Sequence, residues 1–77
     1  MNKKKTGIAV IGYGGMGAWH CRTIKRIEEL ELRGIYDVLE ERRMAAKEQG
    51  IHAYGSLEEL LADEAVTIVT VAIPNQL

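Results

Sequence analysis

The stretch GYGGMG, Gly12 to Gly17, places four glycines in six residues. Glycine at that density weakens strand and helix alike, because it loses the most conformational freedom on folding. Yet the run lies between an apolar segment, GIAVI, and a segment with helical spacing. A strand that feeds a helix through such a turn keeps its backbone bare. That arrangement suits a ligand that must touch main-chain atoms.

The rest of the chain builds a regular alternation around this junction. Gly7–Ile11 is apolar throughout, as a strand buried on both faces requires. A helix is predicted from Gly15 to Glu29, with Cys21, Ile24 and Ile27 recurring every three residues. Leu30–Tyr36 reads as a second strand and Glu40–Gln49 as a second helix. Glu40 and Glu41 stand at that helix's positive end, and Gly50 suits a left-handed C-terminal cap. IHAY, Ile51–Tyr54, reads as a very short third strand. Ser56 followed by Glu59 has capping-box spacing, and it opens a third helix bearing Leu57, Leu60 and Leu61. Val66–Ile73 reads as a fourth strand that Pro74 ends, since proline lacks the ladder N–H.

The order is therefore β-α-β-α-β-α-β. Crossovers of this length are helical, which makes the strands parallel and the connections right-handed. The predicted fold is α/β, a three-layer parallel sheet with strand order 3-2-1-4.

Length and composition set outer bounds. A chain of 77 residues suits one small domain, here residues 7–77 behind a basic tail at residues 1–6 containing Lys3–Lys5. With 47% hydrophobic residues and a net charge of -1, the chain has the composition of a folded protein. It has no basic stripe of the kind nucleic-acid binders carry. No apolar run approaches the roughly 20 residues that span a bilayer, and no secretory leader is evident. Cys21 is the single cysteine, so no internal disulfide forms. It makes no recognisable metal motif with His20 and His52. A cytoplasmic location is expected.

Gly12, Gly14 and Gly17 match the pattern G-x-G-x-x-G. Asp37 follows Gly17 by twenty residues, at the tip of the second strand. Each glycine has a physical reason. Gly12 permits the tight turn, Gly14 lets the backbone approach a pyrophosphate, and Gly17 lets helix and strand pack closely. Free amides near Gly15 and Met16, with the helix dipole behind them, bind phosphate without a lysine or arginine in the loop. A nucleotide-triphosphatase loop would need a Gly-Lys-Ser/Thr ending, and here Ala18 and Trp19 follow Gly17. A purely structural glycine turn is the plainer alternative. Asp37 is an acceptor for a ribose diol and repels a 2′-phosphate, which favours NAD over NADP; an ordinary strand-end acid is its plainer reading. Arg42 and Arg43 either greet a 2′-phosphate or lie on the solvent face of the second helix.

IAVIGYGGMGAWH, LRGIYD, IHAYGSLEELLAD and VTIVTVAIPNQL, in this order, resemble the N-terminal part of the Gfo/Idh/MocA oxidoreductases. The resemblance covers nearly the whole chain and implies an incomplete Rossmann-type domain. It implies that the backbone of Gly12–Gly17, Gly15 included, holds a pyrophosphate, with Tyr13 and Met16 at its border and Asp37 on the adenosine ribose. Ala72, Ile73, Pro74 and Asn75 would pass beside the nicotinamide half. Ile73 stands where threonine is common in the family, and Thr67 where aspartate is. The catalytic lysine and the substrate domain of the family lie beyond Leu77, so no catalytic residue is assigned.

Three functions stay open from the sequence. One is the dinucleotide-binding portion of an NAD(P)-dependent oxidoreductase acting on a sugar, polyol or related small molecule. The second is a stand-alone dinucleotide-binding or assembly module. The third is a non-catalytic relative whose loop is structural. The fourth strand, long and apolar, is expected at a sheet edge, where it pairs with a second copy or is covered by further strands.

Overall fold

The computed structural model describes residues 5–72. Its elements are β1 (Thr6–Ile11), α1 (Gly15–Lys25), β2 (Leu30–Tyr36), α2 (Glu40–Glu48), α3 (Leu57–Ala62) and β3 (Ile68–Val71). The strands form one parallel sheet in the order β2-β1-β3. β1 is therefore central, and Gly7 to Val10 are buried. Ile8 and Val10 point to one face, against Cys21 and Ile24 of α1 and Ala46 of α2. Ala9 points to the other, against Leu60 of α3 and Tyr54. Helices thus cover both faces, and the continuous apolar run of β1 follows from that burial.

Among the described residues three strands form where the sequence predicts four. IHAY contributes a single bridge, Ala53 to Ile35. The Ile35 N–H donates to the His52 carbonyl at 2.9 Å, and the Tyr54 N–H donates to the Ile35 carbonyl at 2.8 Å. The ladder then stops because Gly55 and Ser56 turn the chain into α3. This bridge lies on β2, the side that the predicted order gave to a third strand.

The predicted first helix is also too long. It ends at Lys25, and Arg26 and Ile27 donate instead to the carbonyls of Thr23 and Ile24 at 3.1 and 3.0 Å. Thr6 donates to the Glu29 carbonyl at 3.0 Å, which draws the chain back to the sheet before another helical turn forms. The last strand is shortened at its start. Val66 donates to the Asp63 carbonyl at 3.0 Å in a turn, so regular pairing begins at Ile68. Its predicted end at Ile73 lies outside the described residues.

The caps follow local chemistry closely. Gly50 takes φ 76°, and the N–H groups of Gly50 and Ile51 donate to the carbonyls of Lys47 and Ala46, each at 2.9 Å. This pair of bonds is a Schellman motif. Ser56 Oγ accepts from the Glu59 N–H at 3.1 Å. The Glu59 carboxylate reaches back to the Gly55 N–H at 3.0 Å, one residue earlier than the usual capping-box partner.

A polar cluster stands beside Tyr54. Its buried hydroxyl donates to Asp63 Oδ2 at 2.6 Å. Burial first, and then this bond, push the phenol up to about 12. The same bond, followed by the Ala65 N–H, holds the Asp63 carboxyl below its ordinary value. The lowered acid contributes stability above about pH 3.9 that is lost as pH falls. The raised phenol has the opposite sign: its contribution is intact below about pH 10 and is lost as pH rises toward the folded value. Thermal melts of Tyr54→Phe should therefore show a shallower alkaline fall in Tm than the native chain. Superimposable alkaline profiles would contradict this assignment.

Candidate functional site

The junction between β1 and α1 is built from backbone. Gly12 takes φ 100°, a left-handed value that other residues rarely adopt. Its N–H donates to the Tyr36 carbonyl, the donor and acceptor 2.6 Å apart, which ties the turn to the end of β2. A Cβ on Gly17 would overlap the Gly12 carbonyl oxygen. That contact is the close packing of loop and helix.

The start of α1 leaves donors open. Gly14 is its N-cap, with no side-chain cap and no acidic residue in the first turn. Among the described residues, nothing accepts from the N–H groups of Gly14, Gly15 and Met16. Unpaired N–H groups and an uncompensated helix dipole together favour an anion. Gly15 has nothing within 4 Å of where a Cβ would stand, so the approach is unobstructed there.

Asp37 is the one buried charged residue among the described residues, 6% exposed. Its carboxylate accepts from the Tyr13 N–H at 2.8 Å and from the Leu39 N–H at 2.9 Å. One side chain therefore fastens the glycine loop, the tip of β2 and the entry to α2 together. Ile11, Gly12, Tyr36 and Asp37 line a cleft of about 240 Å³, closed by Val38, Leu39, Arg42 and Ala72. The cleft lies outside the carboxyl ends of β1, β2 and β3, where open parallel sheets bind ligands.

The structure thus brings Gly12, Asp37 and Ala72 into one cleft. It does not bring every candidate there. Tyr13 shares its N–H with Asp37, but its ring packs on the α1–α2 core and borders a second depression beside Arg22 and Lys25. Met16 is exposed and does not line the cleft. Ile73, Pro74 and Asn75 lie outside the described residues. His20 sits edge-on to Trp19, the ring centroids 5.2 Å apart, and away from the cleft lining. Cys21 is fully buried, and burial pushes its thiol up to about 11, so it is an inert core residue. No group of three or more potential metal ligands occurs among the described residues.

The arginines differ from their plainer reading. Both fold back toward Asp37 rather than pointing away along the solvent face of α2. Arg43 Nη1 donates to the carbonyls of Asp37 and Val38 at 2.7 and 3.2 Å. Arg42 Nη1 lies 3.7 Å from Asp37 Oδ2. Their spacing of five and six residues after Asp37, at the first turn of a helix, was the available signal.

The profile of an oxidoreductase family, Gfo/Idh/MocA with an NAD-binding Rossmann fold, matches residues 6–77. The chain belongs to the Gfo/Idh/MocA oxidoreductase family. Comparison with curated proteins gives no match. Solved structures do resemble this family member. An NAD-binding protein from Listeria innocua is 43% identical with a TM-score of 0.88, over 94% of this chain and 21% of that one. GenD2 from gentamicin A biosynthesis, solved in complex with NAD, is 33% identical with a TM-score of 0.83, over 94% of this chain and 21% of the other. A probable dehydrogenase from Thermotoga maritima is 37% identical with a TM-score of 0.74, over 84% of this chain and 20% of its own. The chain spans about a fifth of the length of each of these proteins.

The family's cofactors are nicotinamide dinucleotides, and the residues present fit one. The loop offers uncapped N–H groups, and the buried carboxylate of Asp37 lines the adjoining cleft. No helix among the described residues is long and apolar enough to cross a membrane.

Proposed function

We propose that this chain is the dinucleotide-binding portion of an oxidoreductase acting on a sugar, a polyol or a similar small hydroxy or keto compound. When bound, the nicotinamide ring supplies the hydride acceptor or donor. The protein's part is placement. The N–H groups of Gly14, Gly15 and Met16 bind the pyrophosphate, and Gly12 turns the backbone so that they are presented. Asp37 orients the adenosine ribose. Ile11, Tyr36 and Ala72 give the cleft an apolar wall. The family resemblance assigns the nicotinamide side to Ile73, Pro74 and Asn75, which lie outside the described residues. No residue of this chain is assigned to proton transfer.

The observation that supports this reading is an uncapped helix start, Gly14–Met16, next to a cleft that Gly12 and the buried Asp37 line. The sugar or polyol assignment rests on the family resemblance. We assign to β3, whose Ile68 and Val71 are exposed at the sheet edge, a role in pairing with a further strand or a second copy.

Calorimetric titration with NAD tests the cleft. Gly14→Val is the informative variant. Gly14 has φ -77°, which valine tolerates, and its nearest neighbour is the flexible end of Arg42. The variant is expected to fold and to bind NAD at least about tenfold more weakly, because its branched side chain stands between backbone and pyrophosphate. Unaltered NAD affinity in the folded variant would place the binding site elsewhere.

A further inference from the structure

α1 and α2 pack on the same face of the sheet, and between them lies a second depression of about 370 Å³. Small-molecule sites span roughly 300–1,000 Å³, so this one has room for a small ligand. Arg22 and Lys25 line it from α1, and Glu48 and the adjoining Gln49 line it from α2. The buried Ile51 and the half-buried Tyr13 give it an apolar floor. It shares no residue with the cleft that Asp37 lines.

The polar groups here are unspent. Among the described residues, the side chains of Tyr13, Arg22, Lys25, Glu48 and Gln49 make no hydrogen bond and no ion pair. Arg33, by contrast, pairs with Glu31 and Asp63. Basic residues in the last turn of a helix complement its dipole, which accounts for Arg22 and Lys25 as sequence positions. The dipole does not account for the concavity they line. Nor does it remove the repulsion between like charges three residues apart on one helix face, which an anion between them would relieve. Burial first, and then the Cys21 thiol, raise the Tyr13 phenol against the pull of Arg22, so its hydroxyl stays protonated. A guanidinium fork, an ammonium and a phenol O–H are the donors an oxyanion needs. The Glu48 carboxylate and the Gln49 amide oxygen accept from hydroxyl groups.

We infer that this depression is a second ligand site, for a small hydroxylated oxyanion. The charged end, a phosphate ester or a carboxylate, meets Arg22, Lys25 and the Tyr13 hydroxyl. The hydroxyl groups of the ligand meet Glu48 and Gln49. Tyr13 gives its side chain to this site and its N–H to Asp37, so the site adjoins the glycine loop without entering the cleft.

Amide NMR on the full chain at constant ionic strength tests this. Glycerol phosphate and glycerate separate the two oxyanions, and inorganic phosphate reports the charged end alone. Glycerol phosphate or glycerate should give saturable shifts of the Gln49 and Ile51 amides, with a dissociation constant of about 1 mM or tighter. Shifts at Gly14–Met16 report the start of α1 and serve as the contrast. Arg22→Gln and Lys25→Gln should each weaken the response at Gln49 and Ile51 at least about fivefold and leave that at Gly14–Met16 in place. Glu48→Gln removes a like charge and should tighten inorganic phosphate at least about twofold, which a damaged fold would not do. Shifts confined to Gly14–Met16, shifts that climb without saturating, or a response at Gln49 and Ile51 that survives both cation substitutions would overturn the site. So would inorganic phosphate bound no more tightly by Glu48→Gln than by the native chain.

Discussion

Gly17→Ala should unfold at urea concentrations that the native chain withstands easily. The added methyl would overlap the Gly12 carbonyl oxygen and stand 2.7 Å from its carbon. Both atoms are backbone, so no rotamer relieves the contact. The loop cannot yield freely either, because Gly12 is tied to Tyr36 and already occupies a left-handed conformation. Overpacking of this kind removes about 3 kcal/mol. A domain of this size has about 4–12 kcal/mol to lose. With a urea dependence near 1 kcal/mol per molar, the midpoint should fall by about 3 M. Gly15→Ala is the matched control. It lies two residues earlier in the same helix, where a Cβ meets nothing within 4 Å. It should stabilise by about 0.5–1 kcal/mol, because alanine gives up less chain entropy. Equal effects at the two positions would mean that helix propensity, not the loop contact, governs this junction.

The contrast between these neighbours marks what a sequence can and cannot reveal here. The roles of Gly12 and Gly17 were legible because a known spacing ties each to a backbone requirement. The caps at Gly50 and Ser56 were legible because they are local. The central position of β1 followed from its unbroken apolar run. The failures were tertiary. The third strand dwindled to a bridge because the α3 cap begins two residues after Tyr54. Gly34 gave no signal, yet a Cβ there would stand 2.7 Å from the His52 carbonyl oxygen on the neighbouring segment. The irregular register of β2, which leaves Arg33 without a partner on β1, was equally hidden. In the site, the acid was found by its distance from the glycines. Its bond to the Tyr13 N–H was not, because that contact spans 24 residues and has no pattern. The inward turn of both arginines is local, five and six residues after Asp37, and the sequence left it open against a place on the solvent face of α2.

That hidden bond makes Asp37→Ala the second large effect. The carboxylate accepts two part-buried backbone donors, Tyr13 on the loop and Leu39 at the start of α2. Bonds to a charged acceptor are worth about 1.5–3 kcal/mol each, and truncation leaves both donors unsatisfied. A loss of about 3 kcal/mol in stability is expected, allowing for partial rescue by water. Dinucleotide affinity should fall further than a single ribose contact explains, by about a hundredfold, because the loop that presents its N–H groups is no longer held. Asp37→Asn separates the two contributions. It preserves volume and one acceptor oxygen, but its amide N–H₂ faces one of the same two donors. It should therefore lose one bond rather than two, with roughly half the destabilisation. Hydrogen exchange reads this directly: the Tyr13 and Leu39 amides should both exchange faster in the alanine variant, and only one of them in the asparagine variant. If stability drops in Asp37→Ala while the affinity for NAD holds, the carboxylate serves the fold alone. In that case the ribose must be held by some other group in the cleft.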